Sequence, residues 1–305
     1  MSGPLVSVVI PHFEGKEWVE ETIRSVENQT YENIELVIVD DNSQDDSLEF
    51  IRSLEIDLEV EIAENDENLG MAANRNRGVR IADGDYISIL DQDDICHEER
   101  FEKQVEYMEE NPETGITYTN LQQIDPGGEV INRQKFEKSL RDMSFGEIAE
   151  YVYTTYWMPE DPPIPLTTEL IRSEVFEQIG FYDESLYGLN DRDLMVRAAR
   201  EYDVAVMDEV LFSKREHGGN ASGKREKMVR DHSIMTEKMV NLHPPLKKHY
   251  YRRRGFFDLD MGITYIRNEN YLEGLKNMLR GFIAKPGYST KVGLQYLFLR
   301  PEKNM

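Results

Sequence analysis

Asp85 to Asp94 reads DYISILDQDD, a short apolar run that passes directly into three carboxylates within four residues. The run has the character of a strand, and its carboxyl end carries the acids. Upstream, Asn33 to Asp41 reads NIELVIVDD, and Leu5 to Pro11 reads LVSVVIP, a continuous β-branched run closed by proline. Both are expected to be strands buried on two faces of a parallel sheet. Between them Trp18, Thr22, Ile23 and Val26 recur at helical spacing, with Glu17, Glu20, Glu21 and Glu27 around them. A second helix is expected over Ser43 to Leu54, with Asn42 and Ser43 as capping residues ahead of Asp45 and Asp46. A weaker strand follows at Leu58 to Ala63, then a helix over Asn68 to Ala82 after a turn at Gly70. Strand and helix thus alternate down to Asp94, which predicts right-handed βαβ crossovers and a mostly parallel, Rossmann-like α/β sheet flanked by helices. Ligands of such sheets bind outside the carboxyl ends of the strands, where Asp40, Asp41, Asp91, Asp93 and Asp94 all fall.

Downstream, a helix is expected over Glu98 to Asn111, then a strand at Gly115 to Thr119 and a hairpin turn at DPGGE, Asp125 to Glu129. Tyr153 to Pro165 (YTTYWMPEDPPIP) is proline-rich and aromatic, with the composition of a lid or binding edge. Regular structure resumes with a segment at Leu166 to Ile171, helices over Ser173 to Ile179 and Asn190 to Glu201, and a strand over Asp203 to Leu211. From Lys224 onward the chain reads as helical and basic, and no internal repeat is present.

Composition narrows the function classes. The 305 residues are 39% hydrophobic and 10% aromatic, enough apolar material to offset the entropy of ordering the chain. A single cysteine, Cys96, excludes an internal disulfide framework and a multi-thiolate zinc site, and points to a reducing compartment. No apolar run reaches the roughly 20 residues a bilayer span needs, and MSGPLVSVVIPHFEG lacks the features of a signal peptide, so a cytoplasmic location is expected. The formal charge of −24 argues against a nucleic-acid partner. That charge is divided unevenly: residues 211–305 hold 19 basic and 9 acidic residues, a net of +10, and residues 1–210 hold 16 and 50, a net of −34. So large an acidic excess suits a halophilic source, since molar salt shortens the Debye length to about 3 Å.

Four constellations can carry chemistry. The cluster Asp91, Asp93, Asp94 offers oxygens to a hard divalent cation, Mg²⁺ or Mn²⁺, which takes one or two carboxylates and completes its shell with water and phosphate; an acidic surface turn would use the same residues. In VIVDDN, Val37 to Asn42, Asp40 at the strand tip can accept from a ribose or base N–H, while Asp41 or Asn42 would equally serve as a helix cap. NLGMAANRNRG, Asn68 to Gly78, presents Arg75 and Arg77 beside the same sheet edge, either for an anionic group or to offset local acid. LNDRDLMVRAAR, Leu189 to Arg200, places Asp191 and Asp193 at a helix start, where a carboxylate is commonly a cap. Dinucleotide oxidoreductases and P-loop enzymes are disfavoured by the lack of a G-x-G-x-x-G fingerprint and of a Walker lysine loop.

In that order, VSVVIPHFEG, LVIVDDNSQDDS, ENLGMAANRNRGVRIADGDYISILDQDD, GFYDESLYGLNDRDLMVRAAR and REHGGNAS make the chain resemble glycosyltransferase family 2, inverting enzymes of the GT-A fold, over about residues 5–222. The resemblance implies a nucleotide-sugar site at Pro11, Glu14, Asp40, Arg75 and Asp91, a metal (Mn²⁺ or Mg²⁺) at Asp93 with His217, and Asp191 as catalytic base. Asn190 stands where the family carries a glutamate, which removes a charge beside the base. It further implies a GT-A catalytic domain over 1–222, with a nucleotide-sugar half to about 122 and an acceptor half over 123–222, followed by a basic helical extension over 223–305. The expected activity is hexosyl transfer from a nucleoside-diphosphate sugar to an acceptor hydroxyl or lipid-linked glycan, in glycan biosynthesis or protein glycosylation. A noncatalytic nucleotide-sugar binder would keep the fold without base or metal. A sugar nucleotidyltransferase would be expected to carry a glycine-rich loop near its first strand, for which only Glu14, Gly15 and Lys16 stand in. Residues 247–257, KKHYYRRRGFF, combine cations and aromatics in the manner of a peripheral membrane contact at the inner face of the cell membrane, or of a tail docking on acidic surface.

Overall fold

The three apolar runs of the N-terminal half lie side by side. In the computed structural model, which describes residues 3–136, 139–155, 164–220 and 225–284, β1 (Val6–His12) pairs in parallel with β2 (Ile34–Asp40) and with β4 (Tyr86–Ile89), and β2 pairs in parallel with β3 (Glu59–Glu64). The helices between them are α1 (Val19–Glu27), α2 (Ser47–Ser53) and α3 (Met71–Ile81). Val8, Ile10, Leu36 and Ile38 are fully buried, and Val19, Ile23 and Val26, at i, i+4 and i+7 of α1, cover them. Each such side chain contributes about 1.5–3 kcal/mol by leaving water.

The sheet continues through β5 (Ile95–Cys96), β6 (Thr114–Ile124), β7 (Val130–Gln134), β8 (Leu170–Arg172) and β9 (Asp203–Arg215), in the order β3-β2-β1-β4-β8-β6-β9-β5, with β7 paired to β6. Its long ladders are parallel, including β6 with β9, and the antiparallel ones at β8, β7 and β5 are short. This is the expected GT-A arrangement, a mostly parallel sheet flanked by helices. The remaining helices around it are α4 (Arg100–Glu110), α6 (Ser173–Ile179) and α7 (Asn190–Ala198). At the β6–β7 turn, the Gly127 and Glu129 N–H groups donate to Asp125 Oδ1 at 2.9 and 3.0 Å, and Gly128 takes a φ of 87°.

Helices α2 and α3 begin three to four residues later than their sequence periodicity predicts, and both displaced starts face the strand ends. Helix α2 opens at Ser47 rather than Ser43, because Asn42 adopts a φ of 62° and Ser43 turns back onto Asp40. Helix α3 opens at Met71 rather than Asn68, because the Leu69 and Gly70 N–H groups donate to Asp41 at 2.8 and 2.9 Å. Asp41 also accepts from Asn65 Nδ2 at 2.8 Å, so one buried carboxylate organises a whole loop. Asp41→Ala would remove the acceptor of the Leu69 and Gly70 N–H groups and one of the two bonds of Asn65 Nδ2, which also donates to Asn74 Oδ1, and is expected to destabilise the protein by about 2–4 kcal/mol, read as a lower urea midpoint.

The chain divides into two compact units, Met1–Phe145 with Pro162–Ser185 and Asn190–His217, and Gly146–Asp161 with Leu186–Leu189 and Gly218–Met305. The second is helical among its described residues: most of α5 (Phe145–Thr155), then α8 (Arg225–Leu242), α9 (Lys247–Arg267) and α10 (Tyr271–Ala284). The basic, aromatic stretch at 247–257 opens α9, with Lys247, Lys248 and Tyr251 exposed and Arg253, Gly255, Phe256 and Phe257 buried. Arg253 is fully buried, donating from Nε to Thr236 Oγ1 at 2.9 Å and from its terminal nitrogen to the Tyr153 carbonyl, and Phe257 stacks on His232 at 4.4 Å between ring centroids. Most of the proline-rich segment expected as a lid lies outside the described residues, as does the chain beyond Ala284. No described helix is long and apolar enough to cross a membrane.

Candidate active site

The carboxyl ends of β1, β2 and β4 bring the first three motifs together. After Pro11 in β1 the chain turns at Glu14, whose φ is 47° and whose N–H donates to Ser43 Oγ at 3.0 Å. That hydroxyl donates to Asp40 Oδ1 at 2.6 Å, and the Ser43 N–H donates to Asp40 Oδ2 at 3.0 Å, so Ser43 joins the two strand tips. Gln92, between the first two acids of DQDD, locks the same loop from the other side: its Oε1 accepts from the Phe13 N–H at 2.9 Å and its Nε2 donates to the Phe13 carbonyl at 3.0 Å. Gly15 lies so close that a Cβ there would come 2.1 Å from the Gln92 amide.

Arg75 links these loops to α7. Its side chain, 7% exposed, donates to Asp91 Oδ1 at 2.8 Å and to Asn190 Oδ1 at 2.9 Å. The amide of Asn190 thus meets the guanidinium as a neutral acceptor, and its own Nδ2, fully buried, has no hydrogen-bond partner among the described residues. Asp191 follows in the first turn of α7, half-buried, with Oδ1 accepting the Arg192 N–H at 2.6 Å. Asp193 is differently placed. It is buried and paired at 2.9 Å with Arg197, whose terminal nitrogens hold the Ile179 and Phe181 carbonyls at 2.7 Å. Spacing alone leaves Asp191 and Asp193 equivalent; packing makes Asp193 a clamp on the preceding loop and leaves Asp191 accessible.

The acids of DQDD also divide by environment. Asp94 is buried, its Oδ1 accepting the Arg215 N–H at 2.8 Å, and burial pushes its carboxyl well up from the usual range. Asp93 Oδ2 meets His217 Nε2 at 2.6 Å, and burial followed by the charge of Asp91 raises its carboxyl, against the opposing effect of His217. His217 packs against Trp18 in a tilted arrangement, with ring centroids 4.5 Å apart and planes at 42°. Among the described residues no three His, Cys, Asp or Glu converge as a closed cage. The Asp93–His217 pair nevertheless fits a hard or borderline cation that draws the rest of its shell from water and donor phosphates, as Mg²⁺ and Mn²⁺ do.

Two supporting residues escape a reading by motif. Arg215, 1% exposed at the end of β9, donates from Nε to the Asp93 carbonyl at 3.0 Å, from a terminal nitrogen to the Pro126 carbonyl at 3.0 Å and to Glu21 at 2.6 Å. Its position two residues before His217 is the only signal for it in the sequence. Glu169 lies just before β8, its carbonyl held by Ser88 Oγ and Arg100 at 2.9 Å each and its carboxyl accepting from the Tyr182 hydroxyl at 2.8 Å. Burial above all, then the charges of Asp191 and Asp91, push this carboxyl up to about 8, against Arg75 and Tyr182. The folded protein therefore keeps a proton that the unfolded chain releases near the ordinary 4.5. The unfolded state binds fewer protons across that window, so this group's contribution is complete below 4.5 and lost as pH rises through about 8. Glu169→Gln is expected to flatten that part of the profile, so that the urea midpoint of the variant gains on the parent's between pH 5 and 9.

With this geometry in place, comparison with known proteins assigns the chain. Residues 7–180 match glycosyl transferase family 2. An uncharacterized glycosyltransferase of Methanocaldococcus jannaschii is 32% identical over 254 residues, 82% of this chain and 83% of that protein. Among solved structures, TarS 1-349 of S. aureus in complex with UDP-GlcNAc superposes with a TM-score of 0.65 at 14% identity, covering 98% of this chain and 93% of that one. The mannosyltransferase PcManGT of Pyrobaculum calidifontis, in complex with GDP-Man and Mn2+, gives 0.60 at 17% identity over 96% and 81%. At these identities the structures speak for the fold, and the sequence match speaks for the family: the chain is a member of glycosyltransferase family 2.

Proposed function

We propose that the chain transfers a hexose, with inversion, from a nucleoside-diphosphate sugar to a hydroxyl of a glycan or lipid-linked acceptor, and that residues 1–222 form the catalytic domain. The observation that carries this reading is the Arg75 bridge. It joins Asp91 of the acidic motif to Asn190 beside Asp191, so that the donor-side loops and the only accessible α7 carboxylate border one site. Pro11, Glu14 and Asp40 border the nucleotide, with Asp40 retaining acceptor capacity beyond the two bonds from Ser43. Asp93 and His217 would hold Mn²⁺ or Mg²⁺, which supplies charge stabilisation to the departing diphosphate.

The chemistry then falls to Asp191. The acceptor oxygen forms its bond to the anomeric carbon from the face opposite the diphosphate, the bond to the leaving oxygen breaks with its electron pair, and the hydroxyl proton passes to the Asp191 carboxylate. A base within about 3 Å of the hydroxyl meets that need. The donors named in the structural neighbours define the first screen: UDP-GlcNAc, GDP-Man and their nucleotides, with Mn²⁺ or Mg²⁺, in low and molar salt. A cognate nucleotide at 100 times its dissociation constant should stabilise the protein by about 2.7 kcal/mol. No shift with any of them would sink the donor reading; a shift without turnover of labelled donor over an acceptor panel would favour a noncatalytic binder.

A further inference from the structure

Helix α10 faces the wrong way for a soluble helix. Tyr271, Leu272, Leu275, Leu279 and Ile283 are each 60–72% exposed, and Phe282 is 37% exposed. At about 100° per residue these six side chains fall within an arc of about 120° on one side of the helix. The opposite side is held by close backbone packing. A Cβ on Gly274 would lie 3.0 Å from the Gly262 carbonyl oxygen, and one on Gly281 would lie 2.9 Å from that of Gly255. Glycines seven residues apart on each helix let α9 and α10 touch along their backbones. That contact fixes the rotation of α10, so its Leu, Phe and Ile side chains cannot turn inward.

Charge says what covers this face. Lys276 and Arg280 follow the apolar arc along one edge, Lys276 paired with Glu273 at 2.6 Å and Arg280 opening onto a cavity of about 540 Å³. Lys227, Arg230 and Arg280 line that cavity with Glu226, and Arg254, also in its lining, is paired with Glu237 at 3.4 Å and Asp258 at 3.3 Å, which leaves a small excess of cations beyond the Arg280 edge of the arc. An apolar arc rimmed by Lys and Arg is the layout of a helix lying in a membrane interface, with the apolar side chains below the headgroups and the cations at phosphate depth. A second copy fits less well, since an antiparallel pairing of two α10 faces would set their cationic edges together.

We infer that α10 docks the protein on an anionic lipid surface through Leu272, Leu275, Leu279 and Ile283, with Arg280 and its cavity facing the lipid phosphates. This deepens the lipid-linked acceptor reading, on which it rests for its purpose, and moves the contact from 247–257, where Arg253, Phe256 and Phe257 are interior, to the last described helix. Because the apolar arc carries the contact, docking survives molar salt, which a contact made by cations alone would not.

The test is flotation of the full chain with phosphatidylglycerol–phosphatidylcholine vesicles at low and molar salt. The intact protein should float in both. A variant with Leu272→Ser, Leu275→Ser and Leu279→Ser, all exposed positions that leave the fold intact, should lower the bound-to-free ratio by at least about tenfold. Lys247→Ser, at the exposed start of α9, should lower it by less than about twofold in molar salt. Intact protein that stays in the soluble fraction overturns the proposal, as does a triple variant that floats like its parent. A parent that is dimeric by light scattering, with the triple variant monomeric and neither floating, would make the face a contact between copies and overturn it too. Thermal stabilisation by UDP or GDP with Mn²⁺ is measured on the same samples. Its loss in parent and variant alike would sink the transferase reading without touching the flotation result.

Discussion

Asp191→Asn is expected to leave donor affinity unchanged and to lower sugar transfer about 10²-fold or more, the usual scale for losing a general base. The amide keeps the size of the side chain and can still accept the Arg192 N–H that the carboxylate accepts at 2.6 Å, so the start of α7 should hold its shape. What it cannot do is take a proton from the acceptor. The matched control is Asp193→Asn, two residues on. Asp193 is 5% exposed and fixes Arg197, which in turn holds the loop at Ile179–Phe181, so its replacement should lower the urea midpoint first and turnover only as the fold loosens. Single-turnover kinetics on both variants, with donor affinity measured by calorimetry, separate the two outcomes. Turnover by Asp191→Asn within a few-fold of the parent would remove this residue from the chemistry.

The contrast between these two aspartates marks where a reading of the sequence stops. Strands β1, β2 and β4 were legible because a strand buried on both faces must be a continuous apolar run, and few other structures require one. The acids at their ends were legible for the same reason, since the end of the run fixes where they fall. The starts of α2 and α3 were not: periodicity assigns Ser43 and Asn68 to helices, whereas hydrogen bonds to Asp40 and Asp41 hold the segments just before both helices as loops. Glu169 and Arg215 were invisible because their partners are remote in sequence. Glu21 and Arg215 are 194 residues apart, and no local pattern announces such a pair. The stretch at 247–257 was read by composition, but a helix sorts its residues by angle, and this one turns Arg253, Phe256 and Phe257 inward. In α10 the same geometry exposes the apolar side, which periodicity alone would assign to the core.

Asp93→Asn is expected to abolish metal-dependent binding of the nucleoside diphosphate. A hard cation seeks the charge of a carboxylate, and an amide of the same shape offers only a neutral oxygen. The substitution is informative because the backbone of Asp93 is held independently of its side chain: Arg215 Nε donates to the Asp93 carbonyl at 3.0 Å, and Asp94 Oδ1 accepts the Arg215 N–H at 2.8 Å. The loop should therefore stay in place with its charge removed. His217→Ala should weaken the metal-dependent signal less, because a neutral imidazole would bring no charge to a cation that would take its other ligands from water and phosphate. Asp94→Asn should act on stability instead, since its carboxylate is buried against the Arg215 backbone. Calorimetric titrations of UDP and GDP with and without Mn²⁺ would distinguish the three. If Asp93→Asn bound nucleotide with unchanged affinity and unchanged metal dependence, the acidic motif would be an ordinary turn, and the charge of the departing diphosphate would have to be met by Arg75 or another cation at the strand ends.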